Sequence, residues 1–138
     1  MKNFFLNIYK LVNTLNILLI IFQNKYKNQP VLFLNGARSG SAGGPKVKIQ
    51  RLSNLFKISR CNPNIFYSLS NCIYSYNFFV KLFIKSKMPI VYNQNGIFHN
   101  VWYKGNVTAK NRDMKFYLKN SDYVFYQSKF CKQCCDQV

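Results

Sequence analysis

Apolar residues in this chain fall into short runs, each closed by a polar, glycine-bearing or serine-bearing break. The runs Val31 to Leu34, Ile65 to Leu69, Ile90 to Asn93 and Tyr123 to Tyr126 are bounded by Pro, Asn, Gly or Ser and predict strands. Between them the apolar spacing becomes helical. Gly44-Pro45 opens a helix to about Lys57, with Leu52, Leu55 and Phe56 as its buried stripe and Lys46, Gln50, Arg51 and Asn54 facing water. A second helix is expected over about Tyr74 to Ser86, with Phe78, Phe79, Leu82 and Phe83 inward. A third spans about Val107 to Leu118, with Met114, Tyr117 and Leu118 on one face. Asn62-Pro63-Asn64 reads as a turn, and Ser128 as the N-cap of a fourth helix starting at Lys129. Strand followed by helix, four times over, predicts an α/β fold. It is a Rossmann-like parallel sheet with helices on both faces.

An additional helix precedes this pattern. Phe4 to Phe22 is mostly apolar, but Asn7, Lys10, Asn13 and Asn16 interrupt it, and the uninterrupted stretch Ile17 to Phe22 is far shorter than a membrane span of about 20 residues. No small-residue cleavage pattern follows. Leu11, Leu15, Leu18 and Phe22 recur at helical spacing, so this amphipathic helix either packs on the domain, the preferred reading, or lies on a membrane surface. The expected organisation is a helix over 1–24, a polar linker over 25–30 and one domain over 31–138.

Composition supports a folded chain: 49% of residues are apolar, with 13 Phe and 10 Tyr. The charge is lopsided, at 20 Lys plus Arg against 3 acids, net +17. A nucleic-acid or anionic-membrane partner would account for it. So would AT-rich coding, since Lys, Asn, Ile, Phe and Tyr are all abundant. The basic residues are spread along the chain and Arg is confined to Arg38, Arg51, Arg60 and Arg112, which argues against a specific nucleic-acid reader. Cys61, Cys72, Cys131, Cys134 and Cys135 form no secreted disulfide framework, and the simpler expectation is reduced thiols in the cytoplasm. Cys131-x-x-Cys134 is only half of a zinc site, so no metal is expected.

Candidate chemistry sits where strands end, because open parallel sheets bind ligands outside the carboxyl ends of their strands. Gly40, Gly43 and Gly44 precede a helix N-terminus whose backbone N–H groups favour an anion, although the stretch matches neither a P-loop nor GxGxxG; the alternative is a plain connecting loop. Asn93, Asn95 and His99 can hydrogen-bond sugar hydroxyls around the Gly96 turn, and His99 is the candidate base; the alternatives are a strand-capping turn and a structural His. Trp102 and Tyr103 either stack on a sugar or pin their loop. Arg112, next to Asn111, either clamps a phosphate or carboxylate or faces solvent. Ser128 is first a helix cap and second a ligand contact. With only Asp113, Asp122 and Asp136 as acids, paired-carboxylate chemistry is not expected from this chain.

Three stretches, GGPKVKIQRL, PIVYNQNGIFHNVWY and NRDMKFYLKNSDYVFYQSKFCKQC, together resemble the N-terminal half of a GT-B-fold glycosyltransferase. The resemblance is to the family-4-like (group 1) enzymes of cell-envelope polysaccharide synthesis, and it runs from about Val31 to Val138. It implies transfer of a glycosyl group from a nucleotide sugar, a co-substrate rather than a cofactor, to a saccharide or lipid-linked acceptor. This chain would supply the acceptor side, at the cytoplasmic face of a membrane or free in the cytoplasm. In that family a C-terminal half holds most donor contacts, and no counterpart to it is present in this sequence. Gly43, Gly44, Asn93, Asn95, Gly96, Arg112 and Ser128 are the implied substrate- and phosphate-binding positions. The ending inside a helix, without a C-cap signal, keeps an inactive remnant open as an alternative. A basic RNA- or polyanion-binding module is the other.

Overall fold

Among the described residues, valine, leucine, isoleucine and aromatic residues form five strands that pair in parallel into one sheet. The computed structural model describes residues 2–22, 29–35, 40–41, 43–71, 76–77, 80–85 and 87–137. In chain order the elements are α1 (Lys2–Phe22), β1 (Val31–Leu34), α2 (Gly44–Leu55), β2 (Lys57–Ile58), β3 (Ile65–Leu69), a π-helical turn (Val80–Ile84), β4 (Ile90–Gln94), α3 (Val107–Asn120), β5 (Tyr123–Tyr126) and α4 (Lys129–Asp136). The strand order is β2-β1-β3-β4-β5. The expected α/β, Rossmann-like parallel sheet with helices on both faces is therefore the architecture. The linker over 25–28, the loop over 36–39 and the first residues of the helix expected at Tyr74, including Phe78 and Phe79, lie outside the described residues.

Alternation along the strands sends side chains to two cores. Phe33, Phe66, Ile90 and Tyr92 meet Ile17 and Ile20 of α1, Val80 and Ile84 of the π-helical turn, and Met114 and Tyr117 of α3. On the opposite face Tyr67 and Leu69 meet Ile49 of α2, with Leu34, Leu52, Ile58 and Val91 around them. Stacked rings, Phe33 on Phe66 at 5.6 Å and Tyr92 on Tyr117 at 5.4 Å, add to the burial.

The elements differ from the sequence expectation in four places, each for a physical reason. First, a short fifth strand, β2, pairs with β1 at Val31↔Lys57 and Leu32↔Ile58. To reach it the chain must leave the helix at Phe56, which is extended (φ −130°, ψ 144°). Leu55 is therefore 76% exposed and Phe56 sits at the rim, so the buried stripe of α2 is Ile49 with Leu52, not Leu52, Leu55 and Phe56. Second, Phe83 is 40% exposed, because the π-helical turn directs Val80 and Ile84 inward instead. Third, β4 extends one residue further, to a fully buried Gln94. Fourth, α1 packs on the domain but is rotated: Thr14, Ile17 and Ile20 are buried, whereas Leu11 and Leu15 are each 52% exposed.

That rotation is set by a polar contact. Asn35, wholly buried at the end of β1, donates through Nδ2 to Ser68 Oγ (3.2 Å) and Tyr117 Oη (3.2 Å), and its Oδ1 accepts from Asn13 Nδ2 (3.1 Å). Its own N–H donates to Tyr67 O at 2.9 Å. One amide thus ties α1, β1, β3 and α3 together. Thr14 Oγ1 adds a longer contact from Tyr76 N at 3.5 Å.

Side chains cap two of the helices, and Ser128 is the cap that the sequence suggests. Asn106 Oδ1 accepts from Ala109 N (2.9 Å), and Ser128 Oγ accepts from Cys131 N (3.1 Å). Asn62, at φ 53°, makes the left-handed turn that asparagine tolerates. Asp122 accepts from Ile90 N (2.7 Å) and so fastens the entry of β5 to β4.

Replacing Asn35 with Ala removes its hydrogen bonds to Ser68, Tyr117 and Asn13. The expected loss is about 2–3 kcal/mol of unfolding free energy, read by urea denaturation. A loss below about 0.5 kcal/mol would show that the amide is not what joins these elements. Asn106→Ala, removing a single cap, is expected to cost about 1 kcal/mol in the same measurement.

Candidate functional site

Strand order reverses at β1, which has β2 on one side and β3 on the other. In doubly wound sheets the loops leaving the carboxyl ends on either side of such a switch point diverge and open a crevice. The ends of β1, β3, β4 and β5 carry Asn35, Ser70, Gln94-Asn95-Gly96 and Gln127-Ser128. Backbone bonds hold these ends level: Ser70 N donates to Asn93 O at 3.0 Å and Gln127 N to Gln94 O at 3.1 Å.

Lys48 of α2 reaches over this edge. Its Nζ donates to Asn93 Oδ1 at 2.8 Å and to Asn95 Oδ1 at 2.7 Å. Asn93 also hydrogen-bonds the side chain of Tyr67. Asn95 N donates to Ser70 Oγ (3.2 Å), and Asn95 O accepts from Cys131 Sγ (3.3 Å). An ammonium has three N–H donors, so two are used here and one remains for a ligand. Partial burial pulls the Lys48 ammonium below its ordinary pKa, and the nearby Cys131 thiol opposes that shift. Burial likewise raises the Tyr67 phenol, with the Asn93 bond acting the other way.

Glycines give this edge its backbone shape. Gly43 is the N-cap of α2 at φ 86°, and Gly96 turns the chain out of β4 at φ 126°. Both conformations strain any residue with a Cβ. Gly44 begins the helix that carries Lys48 one turn later. No side chain caps α2 at Gly43, so its first N–H groups are left to other acceptors. Behind the edge Gln94 is buried, and its Nε2 donates to Gly96 O, fixing the turn from beneath.

The structure therefore brings Asn93, Asn95 and Gly96 together, with Ser128 adjacent through Cys131 and with Gly43 and Gly44 at the start of the helix that supplies Lys48. It does not join His99 or Arg112 to this cluster by hydrogen bonds. His99 is exposed, and its Nδ1 accepts from Val101 N at 3.3 Å within its own loop. That loop is anchored toward α3: Asn111 donates to Phe98 O (3.0 Å) and accepts from Phe98 N (2.9 Å). Trp102 and Tyr103 pack on Phe98 at ring distances of 5.0 and 4.8 Å, which pins the loop, while Trp102 stays 60% exposed. Arg112 is exposed and lines a shallow depression on α3 with Thr108 and Lys115.

A second concavity of about 290 Å³ lies between α3 and α4, lined by Ile97, Met114, Leu118, Tyr126 and Cys135 among others. Burial raises the Cys135 thiol, so it is a poor source of thiolate at neutral pH. Among the described residues no group of three His, Cys, Asp or Glu side chains is placed to hold a metal ion.

Sequence reasoning singled out Asn93 and Asn95 but missed Lys48, Ser70 and Asn35. A signal for Lys48 exists. It lies four residues before Leu52, so it borders the buried stripe of α2 one turn past the Gly-Gly-Pro start. The chain matches no family model, no curated protein and no solved structure.

Proposed function

We propose that this chain binds a phosphorylated saccharide at the carboxyl ends of β3 and β4, as the acceptor-side half of a glycosyltransferase. The observation that carries the reading is the Lys48 ammonium held between the Asn93 and Asn95 amides at that edge. A sugar needs several neutral donors and acceptors on a rigid frame, and a phosphate needs a cation and free N–H groups nearby. Lys48 supplies the charge, the Asn93 and Asn95 amides supply polar groups, and Gly43, Gly44 and Gly96 let backbone come close.

Of the three acids, Asp122 is spent on strand pairing and Asp113 accepts from Asn77 at 3.3 Å. Acid–base carboxylates would then belong to a partner half, together with the nucleotide-sugar donor. The acceptor is a saccharide or its lipid-linked form. Among the described residues no helix is long and apolar enough to cross a membrane. A cytoplasmic place is part of this reading.

Calorimetric titration with glucose 1-phosphate and UDP-glucose tests it. Saturable binding is expected in the wild type, and Lys48→Met should weaken it at least about tenfold, the scale of one charge-assisted contact. Ser128→Ala should cost about 1 kcal/mol of stability through its lost cap while leaving affinity unchanged. Absence of binding to either probe, or equal binding by the Lys48 variant, sinks the proposal. Salt-steep binding to single-stranded RNA in its place would favour a polyanion module.

The pH dependence has a defined sign. The ligand phosphate needs protonated Lys48, whose pKa burial lowers from 10.5. Affinity should therefore decline as pH rises through a value below 10.5, and the Lys48→Met variant should show no such step. Fold stability runs the other way: between that lowered value and 10.5 the unfolded chain binds more protons at this site, so stability from this group rises with pH.

A further inference from the structure

Helix α1 is inverted relative to an ordinary surface helix. Phe4, Ile8, Leu11, Leu15 and Leu19 recur every three or four residues and form one stripe, flanked by Phe5 and Val12. Every one of these side chains is between 43% and 66% exposed. The face turned to the domain carries polar residues among its apolar ones: Asn13 bonds to Asn35, Thr14 is buried, and Lys10 lies 6.0 Å from the Tyr76 ring. Removing apolar surface from water would favour the opposite rotation. The Asn13–Asn35 bond holds this one, so the most apolar arc of the helix points away from the protein. A continuous exposed stripe of this kind marks an interaction surface.

Charge selects the occupant. No acidic residue occurs before Asp113, and the whole chain carries net +17. Beside α1, the π-helical turn adds a partly exposed Phe83 followed by exposed Lys85 and Lys87. Two copies of the chain meeting through this face would bring two strongly positive bodies together. An anionic lipid surface offers the complementary charge and accepts the apolar stripe. The asparagines of α1 keep it from crossing, so it lies in the interface plane.

The geometry points to α1 as an in-plane membrane anchor, its Phe4–Leu19 stripe sunk into an anionic bilayer with Lys85 and Lys87 beside it to meet the headgroups. This surface is separate from the Lys48 cluster, and it does not depend on saccharide binding.

Flotation of the full chain with vesicles tests the anchor. The protein should float with equimolar phosphatidylglycerol and phosphatidylcholine, sediment with phosphatidylcholine alone, and release as salt is raised past the point where the Debye length becomes a few Å. The triple variant Leu11→Ser, Leu15→Ser, Leu19→Ser alters only exposed side chains. It should partition at least about tenfold more weakly while keeping its far-UV circular dichroism. As a second readout, Leu15→Trp should shift its emission to the blue and be quenched by brominated lipid when anionic vesicles are added. Equal flotation of wild type and triple variant would assign the binding to diffuse basic charge and overturn the proposal. So would an unquenched Trp at position 15, or a dimer in sedimentation velocity that the triple variant abolishes. Lys48→Met should float like wild type, so failure of the saccharide site and failure of the anchor give different results.

Discussion

Asn35 is the constraint on which the arrangement of this protein turns. It sits at the end of β1, fully buried, where an unsatisfied amide would cost a few kcal/mol. Its partners come from three other elements, so meeting its hydrogen bonds requires α1, β3 and α3 to be in place at once. Apolar burial supplies most of the driving force for the two cores, but it is tolerant of small rotations and slides. A buried amide is not tolerant, because its partners must arrive at specific angles. The polar hub therefore selects one packing among several that burial alone would accept.

That selection reaches the polar edge around Lys48 through the sheet. With β1 and β3 locked by Asn35 and Ser68, the ends of β3 and β4 are held level by the Ser70–Asn93 backbone bond. Lys48 then has two amide oxygens at hydrogen-bond distance without rearrangement. A cation held in this way would lose little side-chain freedom on binding the phosphate proposed above. Its lowered pKa reflects the same partial burial: leaving water weakens the charged form, and the nearby Cys131 opposes that shift only in part.

The same hub shapes the outer surface. Asn13 can satisfy Asn35 only if α1 presents its polar side inward, and the apolar stripe is then exposed. Interior satisfaction and exterior apolarity are thus one geometric choice. The proposed anchor would leave the Lys48 edge free, since the two surfaces share no side chain.

Much of the fold was legible locally. The bounds of β1, β3 and β5, the glycine-proline start of α2 and the Ser128 cap all follow from turn chemistry and period-two or helical spacing within a few residues. Asn93 and Asn95 were legible as a polar strand end for the same reason. The two-residue β2 was not, because so short a strand has no periodicity and exists only by pairing with β1. The rotation of α1 was misread because apolar spacing names a face but not what that face meets; Asn13 and Asn35 lie 22 residues apart. Lys48 could be placed on α2 from sequence, but its bond to Asn93 spans 45 residues. Sequence by itself determined the elements, since their signals are short-range. Tertiary structure decided the strand order, the face α1 turns outward and the Lys48 cluster, because each depends on hydrogen bonds between residues that only folding brings within 3.5 Å.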